Sequence, residues 1–417
     1  MKNESSLPHI VIVGAGFGGL HAARAFKDKP VRVTIIDKQN FHLFQPLLYQ
    51  VATAGLSPQD ITYPVRGILR KQKNIEFRLT EAKRIDTHSK MLLSTCCDIP
   101  YDYLILAVGG VTNTFGMQDI TDYALGLKSL HDASSIRNHL LRCFELASQS
   151  QDIEEQRSLL TFVVVGGGPS GVECSGAISE LIRLVLSKDY PHLDIGIARV
   201  ILLEATQRLL PGMPEDLSQA TVEALQKKKV EVRFGAQVTG FDTIQVTLKD
   251  GSVIPAQTLI WAAGVKAAEL VEKLDLEHGS HGRVKVLPTL QVPGHPDIFV
   301  IGDAAFLEEN GHGLPMVAPV AIQQAQHAAM NILNSIRCQP LQPFKYHDKG
   351  SLATIGRNQA VAYIGGLKFK GLFAWLVWLV VHIMQLIGFR NRLVVLVNWA
   401  WDYFFFDRAL RLITPEK

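Results

Sequence analysis

The chain has 417 residues, 47% of them hydrophobic, and a formal net charge of +3. That length suggests two or three domains, and so small a charge without a long basic run argues against a nucleic-acid partner. Five cysteines (Cys96, Cys97, Cys143, Cys174, Cys338) show neither framework nor metal-ligand spacing, and 14 histidines are scattered, so reduced thiols and no metal are expected.

The start, MKNESSLPH, is short and polar and leads at once into a strand, so neither a signal peptide nor a transit segment is expected. Residues 10–19, IVIVGAGFGG, read as an apolar strand ending in Gly14 and Gly16, with Phe17, Gly18 and Gly19 opening a helix. A lone G-x-G-x-x-G is weak evidence; the strand before it and the helix after it raise its value. The first glycine allows the tight turn, the second lets the backbone approach a pyrophosphate, and the third lets helix and strand pack closely. The helix N-terminus then offers free N–H groups to the phosphates. VRVTIID places Asp37, followed by Lys38, where an acid would take the ribose hydroxyls. LILAVGG at 104–110, with Gly109, reads as a strand closing this nucleotide fold.

The charged stretch QSQDIEEQR at 149–157 reads as a surface segment, after which the pattern returns. TFVVVGGGPSGVE at 161–173 supplies Gly166, Gly168, Pro169, Ser170 and Gly171; ARVILLE supplies Glu204 as the matching acid. LIWAAGV at 259–265, with Gly264, nearly repeats the earlier closing strand. The competing account is two ordinary strand–turn–helix corners with incidental glycines, and a matched acid for each loop makes that a poor one. Two dinucleotides on one chain suggest a flavoprotein that keeps FAD, exchanges a nicotinamide and transfers hydride. A carboxylate at position 204 repels a 2′-phosphate and favours NADH over NADPH, softened by Arg208 four residues on. Glu173 falls in the first turn of its helix, where a carboxylate complements the dipole whatever else it does. DIFVIGDAA at 297–305 is a third apolar strand, ending in Gly302-Asp303.

Two apolar runs close the chain, GLFAWLVWLVVHIMQLIG at 371–388 and LVVLVNWAWDYFFF at 393–406. The first is shorter than the about 20 apolar residues of a membrane-spanning helix, and it holds His382 and Gln385. Four tryptophans suit a water–lipid interface. Asn391, Asn398 and Asp402 fall near one helical face, with apolar residues on the others. Lys368, Lys370, Arg390, Arg392, Arg408 and Arg411 flank the runs and would meet anionic head groups. This is the pattern of a helix lying in a membrane surface; a buried core or dimer helix competes with it.

NFHLFQPLLYQVATAGLSP at 40–58, GGGPSGVE at 166–173, APVAIQQ at 318–324 and GFRNRLVVLVNWAWDYFFFDRALRLI at 388–413 together resemble the type II NADH dehydrogenases. These are non-pumping NADH:quinone oxidoreductases of the glutathione-reductase superfamily. The resemblance implies an α/β fold with two Rossmann-like domains and a C-terminal amphipathic helical membrane anchor. The FAD domain would take 1–115 and 285–345, the NADH domain 116–284, and the membrane-anchoring and dimerisation region 346–417. It implies FAD contacts from Gly14, Gly16, Phe17, Gly18, Gly19, Asp37, Lys38, Ala82, Gly109, Gly302, Asp303 and Ala321, with Gln45 and Pro46 near the flavin ring. NADH contacts would come from Gly166, Gly168, Pro169, Ser170, Gly171, Glu204 and Gly264. Glu173 would help relay protons, and Gln323, with Pro319 and Ile322, would face the quinone. The family's A-Q-x-A-x-Q reads here Ala318-Pro319-Val320-Ala321-Ile322-Gln323, so only the second Gln of that pair is present.

The implied partners are a membrane quinone (ubiquinone or menaquinone), surface lipids and a second copy in a homodimer, at the cytoplasmic face of a bacterial inner membrane. HLFQPLLYQVATAG lacks the cysteine pair that disulfide reductases carry in that region. A sulfide:quinone oxidoreductase would have to use Cys174 and Cys338, and the second loop would have no job in it. A redox-responsive FAD- and NADH-binding interaction protein is the other alternative; it would be expected to show basic surface or long inserts.

Overall fold

The computed structural model describes residues 7–309, 311–405 and 407–414. Most of the polar start, Phe406 of the second apolar run and the last three residues lie outside the described residues.

In chain order, strand β1 (His9–Val13) leads into helix α1 (Phe17–Ala25), followed by β2 (Arg32–Asp37), α2 (Leu48–Ala52), β3 (Ile75–Leu79) and β4 (Tyr103–Leu106). Next come β5 (Leu125–Gly126), β6 (Thr161–Val165), α3 (Pro169–Glu180), β7 (Arg199–Glu204), β8 (Val230–Phe234) and β9 (Thr258–Trp261). Then follow β10 (Gln291–Val292), β11 (His295–Val300), α4 (Ala318–Ile336), β12 (Ser351–Gly356), β13 (Gln359–Ile364), β14 (Leu367–Lys370), α5 (Gly371–Gln385) and α6 (Phe389–Phe405).

The chain forms two compact units. The first takes the chain up to Leu43, Tyr63–Val111 and Val265–Asp348. Its sheet runs β10–β11–β4–β1–β2–β3. β1 is buried along its whole length because parallel neighbours and helices cover it, which is why HIVIV is nearly all apolar. Val11 lies opposite Thr34 on β2 and Leu104 on β4. The core under the sheet contains Val13, Ile36, Leu106, Ile298 and Val300, and α1 packs along α4.

The second unit takes Phe44–Thr62, Thr112–Gly264 and the chain from Lys349. Its parallel sheet, β5–β9–β6–β7–β8, repeats the same logic. Val163 lies opposite Ile201 and Leu259, over a core of Val165, Leu203 and Trp261. The antiparallel sheet β12–β13–β14 belongs to this unit, and α3 lies directly on β12. Gly176 makes that approach possible: a Cβ there would sit 2.2 Å from the Ile355 carbonyl oxygen.

The near-repeats have one physical purpose. LILAVGG and LIWAAGV pair beside the first strands and bring their Ala107 and Ala262 carbonyls onto Gly14 and Gly166. Added Cβ atoms would meet them at 2.4 and 2.6 Å, and the glycines have φ of +103° and +111°. Only glycine meets both demands.

Helix α6 is inverted relative to an ordinary surface helix. Asn391 is buried and its Nδ2 donates to the carbonyls of Gln59 (3.2 Å), Asp60 (3.0 Å) and Thr62 (2.8 Å). Asn398 Nδ2 donates to Asp60 Oδ2 at 3.2 Å. The apolar residues face outward: Leu376, Val380 and Met384 on α5, and Leu393, Leu396, Val397 and Trp401 on α6 are all exposed. No helix among the described residues is long and apolar enough to cross a membrane.

The flanking cations depart from the expectation that all meet head groups. Lys368 pairs with Asp216, Arg392 caps α5 through the Leu386 and Met384 carbonyls, Arg408 donates to the Thr53 carbonyl, and Arg411 pairs with Asp189. Lys370 and Arg390 are exposed. Of the four tail tryptophans, Trp401 alone is exposed; Trp378 is buried and the others are half-buried.

Candidate active site

Both glycine loops present the same cradle. The third glycine of each abuts the first: a Cβ on Gly19 would lie 1.7 Å from the Gly14 carbonyl oxygen, and one on Gly171 would lie 1.9 Å from that of Gly166. The second glycines, Gly16 and Gly168, have nothing within 4 Å of that position. They are also the N-caps of α1 and α3 and carry no side-chain cap. The first-turn amides therefore face open space at the positive end of a helix, which is what a pyrophosphate needs.

The two acids brace the loops. Asp37 Oδ2 accepts from the Ala15 amide at 2.7 Å and Oδ1 from Gln39 at 2.7 Å. Burial pushes its pKa up, against the pull of those amides. Glu204 Oε2 accepts from the Gly167 amide at 2.6 Å and Oε1 from Thr206 at 2.7 Å. Each carboxylate retains lone pairs for ribose hydroxyls. Sequence reasoning missed His42, which lies under the first loop. Its Nδ1 is 3.1 Å from the Ala15 carbonyl, and its ring meets Phe17 edge-on at 5.0 Å. Burial lowers its pKa to about 4, so it is neutral, and its buried Nε2 has no partner among the described residues. Open second glycines, uncapped helix ends and this orphaned nitrogen fit two dinucleotides.

The other expected residues fall as follows. In the first unit, Gly18 lies in α1, Lys38 is exposed beyond Asp37, and Ala82 begins the strand Ala82–Asp86. Gly109 has φ +71°, and its carbonyl accepts from Ala268. Gly302, φ +69°, packs near Ala321 and donates its amide to Gln324 Oε1 at 2.7 Å, with half-buried Asp303 next in the turn. Pro319 opens α4 and Ile322 is half-buried. Gln323 is engaged at both ends of its amide: Nε2 donates to the His347 carbonyl at 2.9 Å, and Oε1 accepts from the His347 amide at 3.0 Å. In the second unit, exposed Gln45 and half-buried Pro46 form a single 3₁₀ turn, Pro169 and Ser170 open α3, and the Gly264 carbonyl accepts from Asn113.

Glu173 is buried in α3, just beyond the first turn in which the sequence places it, and its Oε1 accepts the Thr354 amide at 3.3 Å. Burial pushes its pKa up to about 8, opposed by the Thr354 amide and the Trp378 indole. Between the ordinary value of 4.5 and about 8, folded protein keeps a proton that the unfolded chain has lost. Stability therefore falls as pH rises through that window. Glu173→Gln removes the penalty. Its melting temperature relative to wild type should climb across the window and level off above it, by a gain of roughly a few kcal/mol at most. Parallel thermal melts against pH check this; a constant offset would mean that Glu173 titrates normally.

One turn further along α3 a groove opens to solvent. Tyr49, Trp375, Trp378, Trp399 and Tyr403 wall it, with Glu180, Asp402 and Arg408 on its polar side. Cys174, beside Glu173, is buried, and burial raises its pKa to about 12. It is a thiol and not the thiolate that a sulfide-handling enzyme would need.

Two families of known sequence match the chain. The pyridine nucleotide-disulphide oxidoreductase family matches residues 8–325, and the NDH2 C-terminal domain matches 348–408. The type II NADH:quinone oxidoreductase Ndh of Mycobacterium tuberculosis is 42% identical over 98% of this chain and 90% of its own length. The type II NADH:quinone oxidoreductase of Haemophilus influenzae is 31% identical over 85% of this chain and 86% of its own. In fold, the chain is similar to NDH2 from Plasmodium falciparum solved with NADH (TM-score 0.89, 22% identity, 98% and 100% coverage). It is less similar to the sulfide:quinone oxidoreductase of Aquifex aeolicus (TM-score 0.73, 19% identity, 95% of each chain). With one family match over most of its length and a relative 42% identical along nearly all of it, the chain belongs to the pyridine nucleotide-disulphide oxidoreductases and, among them, to the type II NADH:quinone oxidoreductases.

Proposed function

We propose that the protein oxidises NADH and delivers the electrons, through bound FAD, to a membrane quinone without translocating protons. The observation that carries this reading is the pair of matched cradles, each with an open second glycine, an uncapped helix N-terminus and its own acid. FAD supplies, when bound, the ability to accept a hydride and to return two electrons to a quinone.

The chain's own residues bind and orient. Gly14, Gly16, Phe17, Gly18, Gly19, Asp37 and Lys38 hold the first dinucleotide, aided by Ala82, Gly109, Gly302, Asp303 and Ala321, with Gln45 and Pro46 toward its ring. Gly166, Gly168, Pro169, Ser170, Gly171, Glu204 and Gly264 hold NADH. Glu173, buried and with a pKa near working pH, holds a proton for the acceptor side. Pro319, Ile322 and Gln323 are proposed toward the quinone on the family resemblance, with Gln323 also tethering the segment around His347. The functional domains proposed are 1–115 with 285–345 for FAD, 116–284 for NADH and 346–417 for attachment.

The outward apolar faces of α5 and α6 support seating on a lipid surface, with Lys370 and Arg390 free to meet head groups. The cytoplasmic face of a bacterial inner membrane and a homodimer through part of the tail complete the proposal. Anaerobic stopped-flow mixing with NADH and then a short-chain quinone tests the reaction. Rapid flavin bleaching followed by rapid recovery is expected; bleaching without recovery would send the electrons to another acceptor. Glu204→Gln should narrow the preference for NADH over NADPH about tenfold, the order of one partly solvated like-charge contact. The ratio of kcat/KM values reads this, and an unchanged ratio would leave Glu204 as a loop brace alone.

A further inference from the structure

We propose that Trp378 is a positioning residue for Glu173, the donor through which α5 and α6 hold that carboxylate when their outer face is seated on a lipid surface. This rests on the proton-holding part given to Glu173 above and extends it to the attachment helices.

The contact is built by the C-terminal part of the second unit. Gly176 lets β12 lie directly on α3, which carries the Thr354 amide to Glu173 Oε1. Trp378 comes to the same carboxyl from α5 and is 1% exposed. Its Nε1 makes no well-directed hydrogen bond among the described residues. An indole N–H can only donate, and burying it without an acceptor is costly. The nearby Glu173 carboxyl is thus its natural acceptor.

The ring is held by the attachment helices. It stacks on His382 of α5 at 4.0 Å and leans on Trp399 of α6 at 5.6 Å. Tyr49 of α2 closes the other edge at 6.5 Å. The same two helices expose Val380, Met384, Leu393 and Val397 on their outer faces. Fixing that face fixes the indole.

Other titratable groups near Glu173 bring little competing charge. Burial keeps the Tyr49 hydroxyl and the Cys174 thiol protonated and His382 neutral. Glu180, two turns along α3, is paired with Lys228 at 2.6 Å and lies 3.9 Å from Arg408. A donated hydrogen bond from Trp378 favours the ionised form of Glu173 and lowers its titration midpoint.

The test is an infrared titration of the protonated-carboxyl band in FAD-loaded protein, assigned by its loss in Glu173→Gln. Trp378→Phe should raise the midpoint by about one pH unit, and Trp399→Phe, which loosens the same stack but keeps the donor, should raise it by less. Vesicles containing phosphatidylglycerol should lower the wild-type midpoint and have no such effect on Trp378→Phe. That sign is opposite to the surface-potential effect of anionic lipid, which concentrates protons. Equal midpoints in wild type and Trp378→Phe overturn the proposal. Should Trp378→Phe fail to fold, the wild type with and without vesicles decides, and an unmoved or raised midpoint overturns it. The reading of Glu173 is tested apart from this: wild-type turnover in Glu173→Gln would end its proton role while the infrared midpoints still report on Trp378.

Discussion

Gly16→Val is expected to give folded protein that purifies with at least about tenfold less flavin than wild type. The reason lies in what surrounds the position. Nothing stands within 4 Å of a Cβ there, and the backbone has an ordinary φ of −71°, so the fold accepts a side chain. The isopropyl group then occupies the space that a pyrophosphate needs at the end of α1, and a lost hydrogen-bond set of this kind is worth several kcal/mol. Melting should remain cooperative at a lower temperature, because a ligand bound only by the native state no longer contributes. Gly19→Ala is the contrasting case. Its Cβ would sit 1.7 Å from the Gly14 carbonyl oxygen, so α1 cannot pack on β1, and loss of soluble protein is expected. Gly168→Val should keep flavin and raise the KM for NADH at least about tenfold. Flavin absorbance per protein and steady-state kinetics separate these results. A Gly16→Val protein with wild-type flavin content would remove the first loop from cofactor binding.

Much of this was legible because it is local. A strand, a turn and a helix within twenty residues make each loop, and the acid that braces it ends the next strand. The near-repeats could be placed but not explained, since their purpose is a carbonyl laid on a distant glycine. In α4 the neighbouring residues Gln323 and Gln324 point about 100° apart, and only the packing decides their partners. Gln324 took the Gly302 amide and Gln323 took the His347 backbone. In α6 the two faces were visible, but not which one met protein. Three carbonyls between Gln59 and Thr62 have no sequence signal, and they claim Asn391. Arg408 and Arg411 looked like head-group cations for the same reason; their partners, Thr53, Glu180 and Asp189, are remote in sequence. His42 and Trp378 acquire meaning only from what lies beside them in the folded chain.

The inverted helix also decides how attachment should be tested. Removing the chain from Gly371 would delete Trp378 from against Glu173 and Asn391 from its three carbonyls, so loss of activity there would say nothing about lipid. Charges on the outer face leave those contacts alone. Val380 is 63% and Val397 is 57% exposed, and neither bonds inward. Leu376 lies four residues before the first and Leu393 four before the second, so each pair shares a helical face. Burying one such side chain in the interface contributes roughly 1–2 kcal/mol, and a carboxylate reverses the sign. Val380→Glu with Val397→Glu should therefore weaken binding to phosphatidylglycerol vesicles at least about hundredfold. Flavin content, melting temperature and turnover with a water-soluble quinone should stay near wild type, while turnover with a long-chain quinone in vesicles should fall at least about tenfold. Co-sedimentation and paired assays read both. A double variant that still sediments with the vesicles would show that this face is covered by something other than lipid, and a second copy, read from its mass in solution, would become the occupant.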